Sequence, residues 1–187
     1  MSSASVRRLG AAASLLLLAS CAPSSAPNVA ALRQRRTEAL NSGSSDWSNK
    51  SSNWMVDKYG APDRLETLGL VWYNRGPWKK IVVWDEPEFA GFGRATRNVE
   101  QTIAYPVPAD KRGALASFNL GLRVSENGAE LSARSESEER NFLLLNLADE
   151  IVRGRLNPED ARASYLRALK LADSGKTSPS MQRLLFQ

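Results

Sequence analysis

The chain carries no histidine among its 187 residues. That removes the commonest general base, the usual zinc ligand and every Ser-His or Cys-His nucleophile pair. Carboxylate chemistry remains, and the densest acidic run is Asp85-Glu86-Pro87-Glu88. Asp85 and Glu88 have the residue types of a glycosidase pair, which works only when two carboxyls stand at a defined separation across a cleft. Nothing in their spacing requires that geometry, and the competing account is a set of surface acids at a strand end. Only a pair whose pKa values are driven apart would catalyse. Calcium is a weaker reading, because Pro87 and the lack of a D-x-D-x-D-G ladder break the loop pattern that ion uses. No catalytic residue, cofactor or metal ligand is assigned.

Asp85 to Asn98 reads as a loop long enough to carry function. It holds Phe89, Phe92 and Arg94, with Gly91 and Gly93 between them. Gly91-x-Gly93 lacks the further glycine or Gly-Lys-Ser that a phosphate loop needs. Aromatics and glycines beside acids suit gripping a partner or capping the core about equally, since loops carry binding residues more often than strands do. Three of the five tryptophans, Trp72, Trp78 and Trp84, fall with Tyr73 in one predicted hairpin. Such a platform could stack on sugar rings or bury against a protein. Core packing is the stronger alternative, because a small sheet needs large residues to bury area. The candidate binding surface is therefore Trp72, Tyr73, Trp78, Trp84, Phe89, Phe92 and Arg94.

One residue remains with a distinctive chemistry, the single cysteine, Cys21. Residues 1–8 contain Arg7 and Arg8 and no acid, and Leu9 to Leu18 form an apolar run. This is the layout of a cleavable secretory signal, and it is far shorter than the roughly 20 apolar residues of a membrane span. Leu18-Ala19-Ser20-Cys21 follows directly. It resembles the lipobox of bacterial prolipoproteins, which implies a diacylglyceryl group on Cys21, cleavage before it and further acylation of the new amino terminus. A lone cysteine in an exported chain otherwise means a free thiol or an intermolecular bridge. Two or more acyl chains hold a protein stably where one does not.

The expected partner is thus the membrane, through the lipid, in a cell envelope. Ala22 in place of aspartate points to the outer membrane, facing the periplasm, by the sorting rule of the lipoproteins this segment resembles. The formal net charge of +5 loses two arginines with the signal, and export argues against nucleic acid. Arg33, Arg35 and Arg36 form the best basic cluster. They lie in a predicted tether, where they would touch anionic headgroups or simply be solvated.

These residues need elements to hold them. Residues 21–52, rich in Ser, Ala and Asn, read as lipidated cysteine plus flexible spacer. A single α+β domain is expected over 53–175, and a tail over 176–187. Trp54 to Tyr59 reads as a helix capped by Ser51 or Ser52 and stopped by Gly60. Two strands follow around Arg75-Gly76, a pairing that sets Leu70 opposite Ile81 and puts Trp78 on one face with Val71, Tyr73, Lys80, Val82 and Trp84. A third strand is Val99 to Tyr105, and Pro108 to Phe118 a short helix. Asn127-Gly128 has the chemistry of a two-residue type I′ turn and pairs Val124 with Leu131 and Leu122 with Ala133.

Ser135 to Glu138 reads as a capping box opening a helix with the stripe Leu144, Leu147, Ala148 and Ile151. Asn157-Pro158 opens another, with the stripe Ala161, Tyr165, Ala168, Leu169 and Ala172. The expected fold is a small antiparallel sheet of four or five strands built from hairpins, with two C-terminal helices packed on one face.

The runs YGAP, LVWYNRGPWKK, LSAR and NFLLLNLADEIVRGR, from Tyr59 to about Tyr165, resemble an uncharacterised family of small exported bacterial proteins. The resemblance implies no activity and no site residue. Two functions stay open: a non-enzymatic envelope module that binds a protein or a cell-wall polymer, and a small carboxylate-dependent hydrolase of envelope glycans or lipids using Asp85, Glu86 or Glu88. The missing histidine favours the first.

Overall fold

The computed structural model describes residues 46–66, 69–88 and 97–186. Six antiparallel strands form one sheet: β1 (Arg64–Glu66), β2 (Gly69–Arg75), β3 (Trp78–Glu88), β4 (Arg97–Ala104), β5 (Leu122–Val124) and β6 (Glu130–Ser135), in the order β1-β2-β3-β4-β6-β5. Among the described residues, four α-helices accompany them: α1 (Asp46–Tyr59), α2 (Arg112–Phe118), α3 (Glu138–Val152) and α4 (Pro158–Asp173). The fold is α+β as expected, with a sheet one strand larger than the upper expectation.

Helix α1 begins at Asp46, before the predicted serine caps, and ends where Gly60 adopts φ +79°. Ser52 is inside the helix and buried, and Met55 is fully buried on the sheet. Tertiary burial here overrides the weak helix propensity of a Ser- and Asn-rich segment.

The β2–β3 hairpin is shifted by two residues from the expected pairing. Leu70 faces Val83, Trp72 faces Ile81 and Arg75 faces Trp78, so Gly76 and Pro77 form the loop. Asn74 and Gly76 take the left-handed φ values of +52° and +54° that turn the chain, where a glycine has no steric penalty. A shift of two keeps every residue on its own face, whereas a shift of one would exchange the faces. The exception is Trp78. It meets Glu138 and Phe142 of α3, while the next residue, Lys79, pairs with Glu130. The inside-outside alternation therefore slips between Trp78 and Ile81, and Trp78 joins the core rather than Lys80 and Val82.

Strand β3 also runs further than expected, to Glu88, which pairs with Arg97 across an irregularity that starts after Val83. The acids Asp85, Glu86 and Glu88 are on a strand and not in a long loop. Proline is tolerated in a sheet at such irregularities, so Pro87 does not end the strand.

The β5–β6 register is the expected one, Leu122 with Ala133 and Val124 with Leu131. The turn differs. Gly128 N donates to Ser125 O at 2.9 Å, Gly128 has φ +73°, and Asn127 does not have positive φ. The turn is thus a Ser125–Gly128 β-turn followed by a left-handed glycine. Asn127 contributes through its side chain, whose Oδ1 accepts from Ser125 Oγ and Ala129 N.

Helices α1 and α3 cover one face of the sheet, and α4 lies further out, packed on α3 and α2. Because α3 is sandwiched, it is buried nearly all round from Asn141 to Asp149, a wider belt than the predicted stripe. Its cap is Ser137, which accepts from Arg140 N, and not Ser135. Asn157 caps α4, accepting from Asp160 N at 2.9 Å, as the sequence indicates. The predicted tail is docked: Met181 and Leu184 are buried, and Asn146 Nδ2 donates to Ser180 O and Arg183 O at 2.9 and 2.8 Å.

Candidate functional site

The predicted surface residues do not form one surface. Trp72 and Trp78 are 0% and 1% exposed. Trp72 Nε1 donates to Gly60 O at 2.9 Å, tying the end of α1 to the sheet. Both indoles serve the core, the alternative weighed from the sequence. Tyr73 and Trp84 are half-buried on the sheet face turned away from α1 and α3. There Trp84 Nε1 donates to Glu100 Oε2 at 3.0 Å, and the Arg134 guanidinium lies 5.1 Å from its ring centre. Cys21, Phe89, Phe92 and Arg94 lie outside the described residues, as do the signal and most of the spacer.

Two polar clusters stand out that the sequence reading did not single out. The first surrounds Glu138, whose side chain is 1% exposed. Its carboxylate accepts from Lys58 Nζ, Tyr59 OH, Trp78 Nε1 at 2.6 Å and Gln101 Nε2 at 3.0 Å. Asn141 extends the network, with Nδ2 donating to Gln101 Oε1 and Val99 O and Oδ1 accepting from Ser135 Oγ. Burial, reinforced by the Glu138 carboxylate, holds the Tyr59 hydroxyl well above the ordinary phenol range. A carboxylate saturated by four donors and sealed from solvent is a fastener between α1, the sheet and α3.

The second cluster lies at the C-terminal end of α3, and it is open. A cleft of about 480 Å³ is lined by Asn146, Leu147, Asp149, Glu150, Arg153 and Arg155 on one side and by Ser180, Leu185 and Phe186 on the other. Asp149, with its side chain only 3% exposed, is the hub. It accepts from Tyr105 OH at 2.7 Å, Arg153 Nε at 2.8 Å and Arg155 Nη2 at 3.0 Å. Arg155 also forks onto Glu150, at 2.6 and 2.7 Å. Hydrogen bonding to Arg155 lowers the Glu150 carboxyl below its ordinary value. Burial, and then the Asp149 hydrogen bond, push the Tyr105 hydroxyl up to about 12.

Chemically, this cleft is equipped to bind. Glu150 is held charged by Arg155, the Asp149 oxygens are engaged by three donors, and Tyr105 is held as the neutral phenol. Both guanidiniums are about half exposed: Arg153 is held to Asp149 through Nε, and Arg155 is held to Asp149 and Glu150 through Nε and Nη2, so their outer edges border the open cleft. The signal for the site in the sequence is the run Asn146 to Arg155, where Asn146, Asp149, Glu150 and Arg153 share one helical side at spacings of three and four. The second wall comes from the chain's last described residues and has no such signal.

Among the described residues no group of three or more His, Cys, Asp or Glu is placed to hold a metal ion, and no helix is long and apolar enough to cross a membrane. No family model, curated protein or solved structure matches the chain.

Proposed function

We propose that the chain is a membrane-anchored envelope lipoprotein, lipidated at Cys21, whose folded part is a non-enzymatic binding module. The observation that supports binding over catalysis is the state of the two buried carboxylates. Glu138 and Asp149 are each saturated by donors from the protein, so neither is free to take a proton from a substrate. The open cleft beside Asp149 pairs guanidinium donors with apolar groups, and its Glu150 carboxylate is already engaged by Arg155. Anchoring follows from the lipobox-like LASC segment, and the outer membrane facing the periplasm is the proposed location, with an envelope protein or cell-wall polymer as partner.

The test is capture from detergent-solubilised envelopes with the full lipidated chain, alongside incubation with isolated envelope glycans and lipids. A partner retained in stoichiometric amount, without release of products, is the expected outcome. Product release that disappears in an Asp85→Asn, Glu86→Gln, Glu88→Gln triple variant would establish the hydrolase instead. Cys21→Ser should abolish acyl labelling, and continued membrane fractionation after normal processing would overturn the anchor.

A further inference from the structure

Resting on the binding-module reading, we infer that the cleft at the C-terminal end of α3 receives an organic monocarboxylate with an apolar group next to the carboxyl. The carboxylate lies on the exposed outer edges of the Arg153 and Arg155 guanidiniums, and the apolar group on Leu147, Leu185 and Phe186.

Three properties of the cleft lead there. The first is preorganisation. Arg153 and Arg155 are each about half exposed, yet each is fastened at one edge to the same buried Asp149. Asp149 is itself fixed by Tyr105 from β4's neighbouring residue. Arginines held in this way lose little further freedom when they take up an anion, and their planar forks match a two-oxygen acceptor.

The second is charge. Asp149 and Glu150 offset Arg153 and Arg155, and the C-terminal end of α3 adds a partial negative charge. With no net positive charge left, an anion is held only by matched donors on the guanidinium edges, so the second negative charge of a phosphate dianion adds repulsion without a donor to offset it.

The third is the opposite wall. Leu185 is 53% exposed although its backbone is held by Asn146 Oδ1 at 2.8 Å. Phe186 stands edge-on to Tyr105 with ring centres 5.3 Å apart. An apolar wall facing charged donors is the usual make-up of a small-molecule site, and about 480 Å³ lies in the usual size range.

The test titrates the full chain, purified in mild detergent, with N-acetyl-L-leucine, N-acetyl-L-leucinamide and inorganic phosphate, read by calorimetry and by amide chemical shifts. The acid should bind and shift residues 146–155 and 180–186, with the amide and phosphate at least tenfold weaker. Arg153→Gln should weaken the acid at least tenfold while the variant still folds, because Asp149 keeps Tyr105 and Arg155. Should Arg153→Gln fail to fold, Leu185→Glu at the half-exposed rim should repel the acid to a similar degree.

Equal binding of acid and amide, tighter binding of phosphate, no binding of the acid, or shifts elsewhere in the molecule would each overturn the inference. None of these results bears on the binding-module reading, which envelope capture decides separately.

Discussion

Removing the Glu138 carboxylate should be the most damaging single change to the polar interior. In Glu138→Ala, Trp78 Nε1 and Gln101 Nε2 lose the acceptor they meet at 2.6 and 3.0 Å. Gln101 is buried and cannot turn to water, which costs about 1–3 kcal/mol, while Trp78 Nε1 keeps Tyr59 OH at 3.1 Å as a second acceptor and loses less. Lys58 is 44% exposed and can turn outward at little cost. The expected loss is about 2–4 kcal/mol, a large fraction of the roughly 5–15 kcal/mol that holds most domains folded. In Glu138→Gln the amide oxygen can still serve Tyr59, Trp78 and Gln101, while the Lys58 ion pair and the charge assistance go. That loss should be about 1–2 kcal/mol. The assay is urea unfolding followed by tryptophan emission, since Trp72 and Trp78 pass from full burial to water. A Glu138→Ala loss under about 1 kcal/mol, or Glu138→Gln as damaging as Glu138→Ala, would refute the reasoning.

Gly128→Val puts a β-branched residue at φ +73°, with its Cβ against the Arg112 guanidinium and 3.1 Å from Val107 O. A loss of about 1–3 kcal/mol is expected in the same unfolding assay, and an unchanged midpoint would place the turn elsewhere. For Tyr105, the folded pKa of about 12 lies above the ordinary 10.0, so its contribution to stability is complete below pH 10 and is lost as pH rises toward 12. Wild type should therefore lose more stability than Tyr105→Phe over that window, and parallel losses would show that Tyr105 titrates normally. Ala22→Asp should move the lipidated protein toward inner-membrane fractions on a density gradient. Wild type already sedimenting with inner-membrane markers would overturn the proposed destination.

Local chemistry fixed several features in the sequence by itself. Asn157-Pro158 marks the start of α4 and Gly60 the end of α1, because capping and positive φ are decided by a residue and its immediate neighbours. The β5–β6 register was legible because the alternation in Leu122, Val124, Leu131 and Ala133 permits one pairing that buries all four on one side. The α+β class followed from the order of strand-like and helix-like periods.

Tertiary structure decided the rest. Whether Trp78 is surface or core turns on a slip of alternation within β3, and Phe142 and Glu138, some sixty residues away in sequence, fill the place it enters. Ser135 looked like a cap, but Asn141 claims its hydroxyl at 2.7 Å and leaves capping to Ser137. The cleft needs Arg153 and Arg155 from one end of α3, Tyr105 from beyond β4 and Phe186 from the final segment. Sequence spacing reports the neighbours along one element. Which elements meet, and therefore which charges share a buried partner, depends on how α3 is enclosed between the sheet, α4 and the docked segment 178–186.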